Sequence, residues 1–83
     1  MKKLTIRLKD INDVKDFVTK ASPFPFDVDL LTGRYIIDGK SIMGVLSLDL
    51  SRPLSLVIHS EHCDDFLKAI EPYILTETEE SEK

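Results

Sequence analysis

Hydrophobic and polar positions alternate in short stretches of the chain, and this period of two predicts β-strands with one buried face. The stretches are Leu4–Leu8, Phe26–Leu30, Arg34–Ile37 and Leu54–His59. Thr32-Gly33 is a turn signal, because glycine supplies the positive φ that a tight turn requires. Asp38-Gly39 is predicted to turn the chain again. The second and third strands are therefore predicted to form an antiparallel hairpin.

Apolar residues at helical spacing predict one helix near residues 11–21 and another near residues 61–74. The first carries an apolar face and is bounded by Pro23 and Pro25, each of which lacks a backbone N–H. The second includes Pro72, which we expect to kink it or end it early. The apolar positions are Val14, Phe17, Val18 and Ala21 in the first helix and Phe66, Leu67, Ile70 and Ile74 in the second.

A third, short helix is predicted after Ser41, because serine is a good N-cap for the apolar segment that follows it. Gly44 weakens this helix and Pro53 bounds the segment. The element order is then β-α-β-β-α-β-α, which predicts an α+β open-faced sandwich. In this fold a four-stranded antiparallel sheet carries three helices on one face.

The chain has 83 residues, which indicates a single domain with one thin core. We expect this domain to span residues 1–75. Residues 76–83 lack an apolar pattern and are expected to form a disordered acidic tail. A core of this size leaves little room for a deep substrate cavity, so we expect neither an enzyme nor a bound cofactor.

Charge and cysteine content narrow the functional classes further. The formal net charge is −4 and most of it lies in residues 76–83, so the rest of the chain is nearly neutral. Without a basic excess, nucleic acid is not an expected partner. Cys63 is the single cysteine, which is typical of a reducing compartment, and no apolar run reaches the length of a membrane span. We therefore expect a cytoplasmic protein that does not bind membranes.

The segment Lys40 to Leu48 reads KSIMGVLSL, and it resembles the segment around the regulatory serine of the HPr (histidine-containing phosphocarrier) family. Ala21-Ser22 and the following Asp27–Leu30 are similar to the end of the family's first helix and the start of its second strand. The element order is also that of the family. The resemblance covers residues 3 to about 75, and it implies a relation to the sugar phosphotransferase system.

The sequence departs from the family where the phosphorylatable histidine belongs. Phosphocarriers of the family begin helix one with a Gly-x-His-Ala-Arg-Pro motif. Counting back from Ala21 without gaps, Asp10 stands in place of the histidine and Asn12 in place of the arginine. No histidine precedes His59. An aspartate can in principle form an acyl phosphate, whereas the simpler interpretation of Asp10 is a helix cap.

The resemblance implies that Ser41 is a regulatory phosphorylation site for HPr kinase. Phosphate there adds about −1.5 to −2 charges at the positive end of a helix. The residues that follow form an apolar patch, Ile42, Met43 and Leu46, which one short helix cannot bury completely. In the family this patch contacts partner proteins of the phosphotransferase and carbon-control network. We interpret the chain as a non-catalytic regulatory module that acts through this region.

Two alternatives remain open from the residues alone. The chain is a phosphocarrier with an unusual acceptor such as Asp10, or it is a degenerate HPr scaffold that serves an unrelated partner. His59, His62 and Cys63 also resemble a zinc-binding cluster in spacing. The two histidines belong to different predicted elements and no second ligand pair occurs elsewhere, so we expect no metal site.

Overall fold

Strands and helices alternate along the chain in the predicted order, with one additional strand at the end. The computed structural model of the protein describes residues 1–77. Its strands are β1 (Lys2–Ile6), β2 (Val28–Thr32), β3 (Tyr35–Asp38), β4 (Leu54–Ile58) and β5 (Ile74–Glu77), and its helices are α1 (Ile11–Ala21), α2 (Ile42–Leu46) and α3 (Asp64–Ala69). A 3₁₀ turn, Glu71–Tyr73, precedes β5.

The strands form one antiparallel sheet in the order β3-β2-β4-β1-β5. The β2–β3 hairpin turns at Gly33, whose φ of 57° lies in the left-handed region that glycine favours. Within residues 1–77, no helix is both long and apolar enough to cross a bilayer. The fold class is the predicted α+β sandwich, with a fifth strand at the β1 edge.

One face of the sheet forms the core, because the period of two places every second side chain of β1, β2 and β4 on that face. Helix α1 covers this face and packs against α2 and α3. Phe17 of α1 meets Phe66 of α3 edge to face, with ring centroids 6.4 Å apart. The sheet residues in the core are fully buried, namely Leu4, Ile6, Val28, Leu30, Leu54, Leu56 and Ile58.

Helix α1 begins and ends where its sequence predicts. Asp10 has an extended backbone, and its side chain accepts a hydrogen bond from the Asp13 N–H at 3.0 Å. The Asp13 carboxylate in turn accepts the N–H of Lys9 at 2.9 Å, so it fixes the residue that precedes the cap. The predicted apolar face is the buried one, and Ser22 ends the helix just before Pro23.

Helix α3 is much shorter than the predicted range 61–74. It ends at Ala69, and Pro72 lies in the 3₁₀ turn that follows. Proline lacks an N–H and disfavours helical geometry in the residue before it, so the chain cannot continue as an α-helix here. Ile74, which the helical spacing assigned to the buried stripe of the helix, instead begins β5 and packs against the core from the sheet.

Strand β5 extends two residues past Leu75, after which the tail is predicted to begin. Thr76 pairs with Thr5 and Glu77 pairs with Leu4, so β5 continues past Leu75. Strand pairing along β1 was not visible in the local pattern, because it depends on a distant segment of the chain. The remaining part of the predicted tail, 78–83, lies outside the described residues.

The fifth strand predicts a difference between two shortened chains. A chain that ends after Leu75 loses the β1 pairings of residues 76 and 77, whereas a chain that ends after Glu77 keeps them. We expect the shorter chain to be less stable by about 1–2 kcal/mol, the net value of one or two backbone hydrogen bonds. Urea unfolding of both chains measures the difference, and equal stability would show that this part of β5 contributes nothing.

Candidate functional site

Ser41 is the N-cap of α2. Its backbone is extended, and its Oγ accepts a hydrogen bond from the Gly44 N–H at 3.1 Å. Its own N–H donates to the Asp38 carbonyl at 3.1 Å, and its carbonyl accepts the Val45 N–H at 2.9 Å. The hydroxyl is half-buried rather than enclosed. The predicted cap is thus confirmed, and it holds a hydroxyl group at the start of a surface helix.

Close contact with β3 fixes the position of α2. A Cβ atom built on Gly44 would lie 2.8 Å from Cγ2 of Ile37, which is closer than a real side chain could stay. Glycine therefore lets the helix approach the edge strand. Val45, on the inner side of α2, is fully buried, and Leu48 is buried just after the helix ends. Glycine weakens the helix locally, but it permits the contact that holds the helix on the sheet.

The apolar patch that follows Ser41 is only partly a surface feature. Met43 is 80% exposed and Ile42 is 38% exposed. Leu46 is half-buried and packs against the core. The structure therefore brings Ile42 and Met43 to the surface beside Ser41, whereas much of Leu46 serves the fold.

The Lys40 side chain points away from the adjacent Ser41 hydroxyl. Its ammonium group donates to the Phe24 carbonyl in the segment between α1 and β2. Its backbone N–H donates to Oδ1 of Asp38 at 2.9 Å. The lysine therefore ties α2 to the end of α1, and its charge is directed to that carbonyl rather than to the Ser41 hydroxyl.

Asp10 lies in a shallow cleft of about 480 Å³ at the start of α1. Arg7, Lys9 and Tyr73 also line this cleft. The Nε atom of Arg7 is buried and has no hydrogen-bond partner among residues 1–77. The sequence motif offered no arginine at the matching position, so the arginine beside Asp10 was missed. Arg7 lies in the loop just after β1, and no local motif in the sequence connects it to the start of α1.

Tyr73 joins the 3₁₀ turn to α1. Its hydroxyl donates a hydrogen bond to the Asp16 carboxylate, which also pairs with Lys20 at 3.0 Å. This bond raises the pKa of Tyr73 to about 12, with a smaller contribution from burial. The same bond, together with Lys20, lowers the pKa of Asp16. The hydrogen bond therefore widens the pH range in which the Tyr73 phenol stays neutral and the Asp16 carboxylate stays charged.

The two histidines lie on different parts of the surface. His59 follows β4 and its Nε2 is 2.8 Å from Oδ2 of Asp29 on the face of the sheet opposite the helices. His62 is exposed before α3, and its N–H donates to Ser60 Oγ. Cys63 is the N-cap residue of α3, and its side chain makes no capping hydrogen bond. Across residues 1–77, no group of three or more His, Cys, Asp or Glu side chains is arranged to hold a metal ion.

Comparison with solved structures identifies proteins of the same fold. No protein-family model and no curated protein sequence matches the chain. Among solved structures, HPr-C-His from Thermoanaerobacter tengcongensis is 26% identical over 87% of this chain and 89% of its own, with a TM-score of 0.73. The Bacillus subtilis catabolite-repression protein Crh, a dimer formed by domain swapping, is 26% identical over 87% of this chain and 88% of its own, with a TM-score of 0.62.

A third solved structure extends this set at lower identity. The histidine-containing phosphocarrier protein of a mycoplasma is 17% identical over 84% of this chain and 88% of its own, with a TM-score of 0.68. These neighbours define an open-faced α+β sandwich of the phosphocarrier type. The chain has the fold of the HPr family.

The geometry of the cap predicts the cost of losing the Ser41 hydroxyl. Ser41→Ala leaves the Gly44 N–H without its partner and should destabilise the protein by about 1 kcal/mol. Ser41→Asp should keep most of this stability, because aspartate is an equally good N-cap. Thermal unfolding of both variants measures the effect. Ser47→Ala is the comparison at the other end of α2: it removes a hydroxyl that donates to the Gly44 carbonyl, but that carbonyl keeps the Ser47 N–H as a donor. An equal loss in Ser41→Ala and Ser47→Ala would contradict a specific cap.

Proposed function

We propose that this protein is a non-catalytic regulatory module, related to the sugar phosphotransferase system, that binds partner proteins through the Ser41 region. The HPr-family fold supports the relation to that system. The proposed partners are proteins of the phosphotransferase and carbon-control network, including HPr kinase. HPr relatives are carriers rather than catalysts and reside in the cytoplasm, so we assign this chain the same location and no enzymatic activity.

One observation carries this proposal. A half-buried hydroxyl group caps α2, and the exposed side chains of Ile42 and Met43 follow it directly. A phosphate on this oxygen brings new acceptor oxygens to the free N–H groups of the helix start, so the cap survives in a stronger form. The added charge lies at the border of an exposed methionine-containing surface, and such surfaces are often protein interfaces.

The proposed switch is electrostatic and local. Unmodified, the apolar patch presents a neutral border to a partner. Modified, it presents roughly −1.5 to −2 charges at neutral pH, which favours a partner with a cationic rim and disfavours one that buries the Ser41 hydroxyl. Because Lys40 is committed to the Phe24 carbonyl, the charge is not neutralised within the helix start. The partner supplies the compensating cations.

The first test is phosphorylation by HPr kinase. We expect incubation with HPr kinase and ATP to add one phosphate to Ser41, which mass spectrometry of proteolytic fragments locates. Ser41→Ala should remove the modification, whereas Ser47→Ala, which changes an exposed serine directly after the same helix, should retain it. Partner binding should then differ between Ser41→Ala and Ser41→Asp in a pull-down from cytosol.

Two outcomes would contradict the regulatory role. The first is a wild-type chain that the kinase leaves unmodified while it labels an ordinary HPr in the same reaction. The second is equal binding of all partners by Ser41→Ala and Ser41→Asp. In either case Ser41 serves only as a helix cap, and the protein becomes a scaffold that has the HPr fold without its serine switch.

A second candidate function is phosphotransfer through Asp10. The buried Nε of Arg7, which lacks a hydrogen-bond partner among the described residues of the cleft, favours it. In this reaction a carboxylate oxygen of Asp10 attacks the phosphorus of a phosphohistidine on enzyme I, and the P–N bond breaks as an acyl phosphate forms. Against it, Asp10 already accepts the N–H of Asp13, whose own carboxylate repels the incoming dianion.

Incubation with phosphoenolpyruvate and enzyme I separates the two candidates. We expect no stoichiometric label under conditions that fully label an ordinary HPr, because no imidazole is among the described residues that line the cleft. If label appears, Asp10→Asn should abolish it and Arg7→Gln should reduce it. Label that survives Asp10→Asn would exclude the acyl phosphate, and label on His59 or His62 would identify a different acceptor.

A further inference from the structure

A cavity of about 500 Å³ lies on the helix side of the sheet, beside the turn of the β2–β3 hairpin. Two segments line it, residues 32–37 of the hairpin and residues 47–52 of the loop between α2 and β4. Leu30 pairs with Ile37 and Thr32 pairs with Tyr35, so strand alternation places Ile37 and Tyr35 on the same face as the core. The volume falls within the range of small-molecule sites, roughly 300–1,000 Å³.

Part of the cavity lining is apolar. Leu48 is buried, and Ile37 is half-buried and packs against the core. Tyr35 also lines the cavity, and its side chain is 64% exposed. A ligand with an apolar body would remove part of this surface from water, which favours binding in proportion to the area covered. The lining therefore suits a molecule that carries a hydrocarbon or aromatic part.

Two arginines line the cavity, and they differ in what they already bind. The Nε atom of Arg52 is 3.7 Å from Oδ2 of Asp49. The guanidinium group of Arg34 is exposed and makes no hydrogen bond or ion pair with any residue of the range 1–77. A guanidinium group is a planar fork of N–H donors that matches the two oxygens of a carboxylate. Arg34 is therefore the cation that is available to a ligand.

The charge of the lining favours a ligand with a single negative charge. Oδ1 of Asp49 accepts the hydroxyl and the N–H of Ser51, and these bonds, with a smaller contribution from Arg52, lower the pKa of Asp49. Two guanidinium groups against this one carboxylate leave the lining with one positive charge. A carboxylate ligand neutralises that charge, whereas a phosphate dianion leaves an excess of negative charge and a cation is repelled.

We propose that this cavity binds a small organic acid. The carboxylate of the acid pairs with the guanidinium group of Arg34, and its apolar body lies against Ile37 and Leu48. The Tyr35 ring adds an aromatic surface for the same body. This binding site is separate from the regulatory role proposed above, because Ser41 is not among the residues that line the cavity.

Phenylacetate, which joins one carboxylate to an aromatic ring, is the probe for this site. Titration of the full chain is followed by two-dimensional NMR spectra of the backbone amides. We expect a Kd of about 1 mM, the range of a small ligand in an open site. The largest shifts should fall on the amides of Gly33, Arg34 and Leu48. Phenylacetamide, the neutral analogue, should bind about tenfold more weakly, because it cannot form the ion pair.

Substitution of Arg34 tests the ion pair. Arg34→Gln should bind phenylacetate about tenfold more weakly than the wild type, yet bind phenylacetamide equally well. Arg34→Lys keeps the charge but loses the planar fork, so its affinity for phenylacetate should lie between those of the wild type and Arg34→Gln. Tyr35→Ser should weaken the binding of both probes, because it removes apolar surface that both use. Lys15→Gln, which removes an exposed cation of α1, is the matched control and should bind both probes as the wild type does.

Several outcomes would overturn the proposal. One is the absence of shifts at the cavity amides with phenylacetate at about tenfold above the expected Kd. Another is an equal loss of phenylacetate and phenylacetamide binding in Arg34→Gln, which would show a structural effect of the substitution. Equal weakening by Lys15→Gln would show general attraction by charge, and shifts centred on the cleft of Arg7 and Asp10 would place the binding there. Tighter binding of phenyl phosphate than of phenylacetate would exclude a carboxylate as the preferred ligand group.

Discussion

The sheet can bury only one of its faces, and this constraint organises the molecule. The helices cover one face of the sheet, and α1 contributes Phe17, whose ring meets Phe66 of α3. Fully buried leucine, isoleucine and valine side chains of β1, β2 and β4 complete the layer. Removing apolar area from water contributes about 25 cal/mol per Å², or about 1.5–3 kcal/mol for one fully buried side chain. Summed over these side chains, this free energy exceeds that of any single hydrogen bond described here. The packed apolar core therefore fixes the positions of the elements that carry the polar sites.

Features that depend on neighbours in sequence were predictable. The start and end of α1 follow from a cap, an apolar stripe and a proline pair within one segment, and the Ser41 cap follows from a serine before an apolar run. The β5 strand was missed because Phe66, Leu67, Ile70 and Ile74 fit a helical spacing that continues past Pro72. The edge of β1 that β5 occupies lies about seventy residues away in the chain, and local periodicity carries no information about such a pairing.

The features of the candidate site also separate into those that local sequence predicts and those that depend on tertiary contacts. Ser41 and the exposure of Met43 follow from local sequence, since a short helix cannot hide every apolar side chain. The direction of Lys40 and the contact between Gly44 and Ile37 depend on how α2 sits on β3. Arg7, which lines the Asp10 cleft, lies just after β1. These features require the assembled fold, because each joins segments that the sequence pattern treats separately.

The buried free thiol of Cys63 makes local unfolding measurable. Its side chain is 4% exposed in the core between β4 and α3, and burial raises the pKa of its thiol. Thiolate is the reactive form, so the folded protein reacts slowly with alkylating reagents, and the reaction proceeds through molecules in which α3 has opened. Because the sequence contains no other cysteine, the rate of alkylation reports that opening alone. The wild-type chain thus contains its own probe of local unfolding beneath α3, with no label introduced.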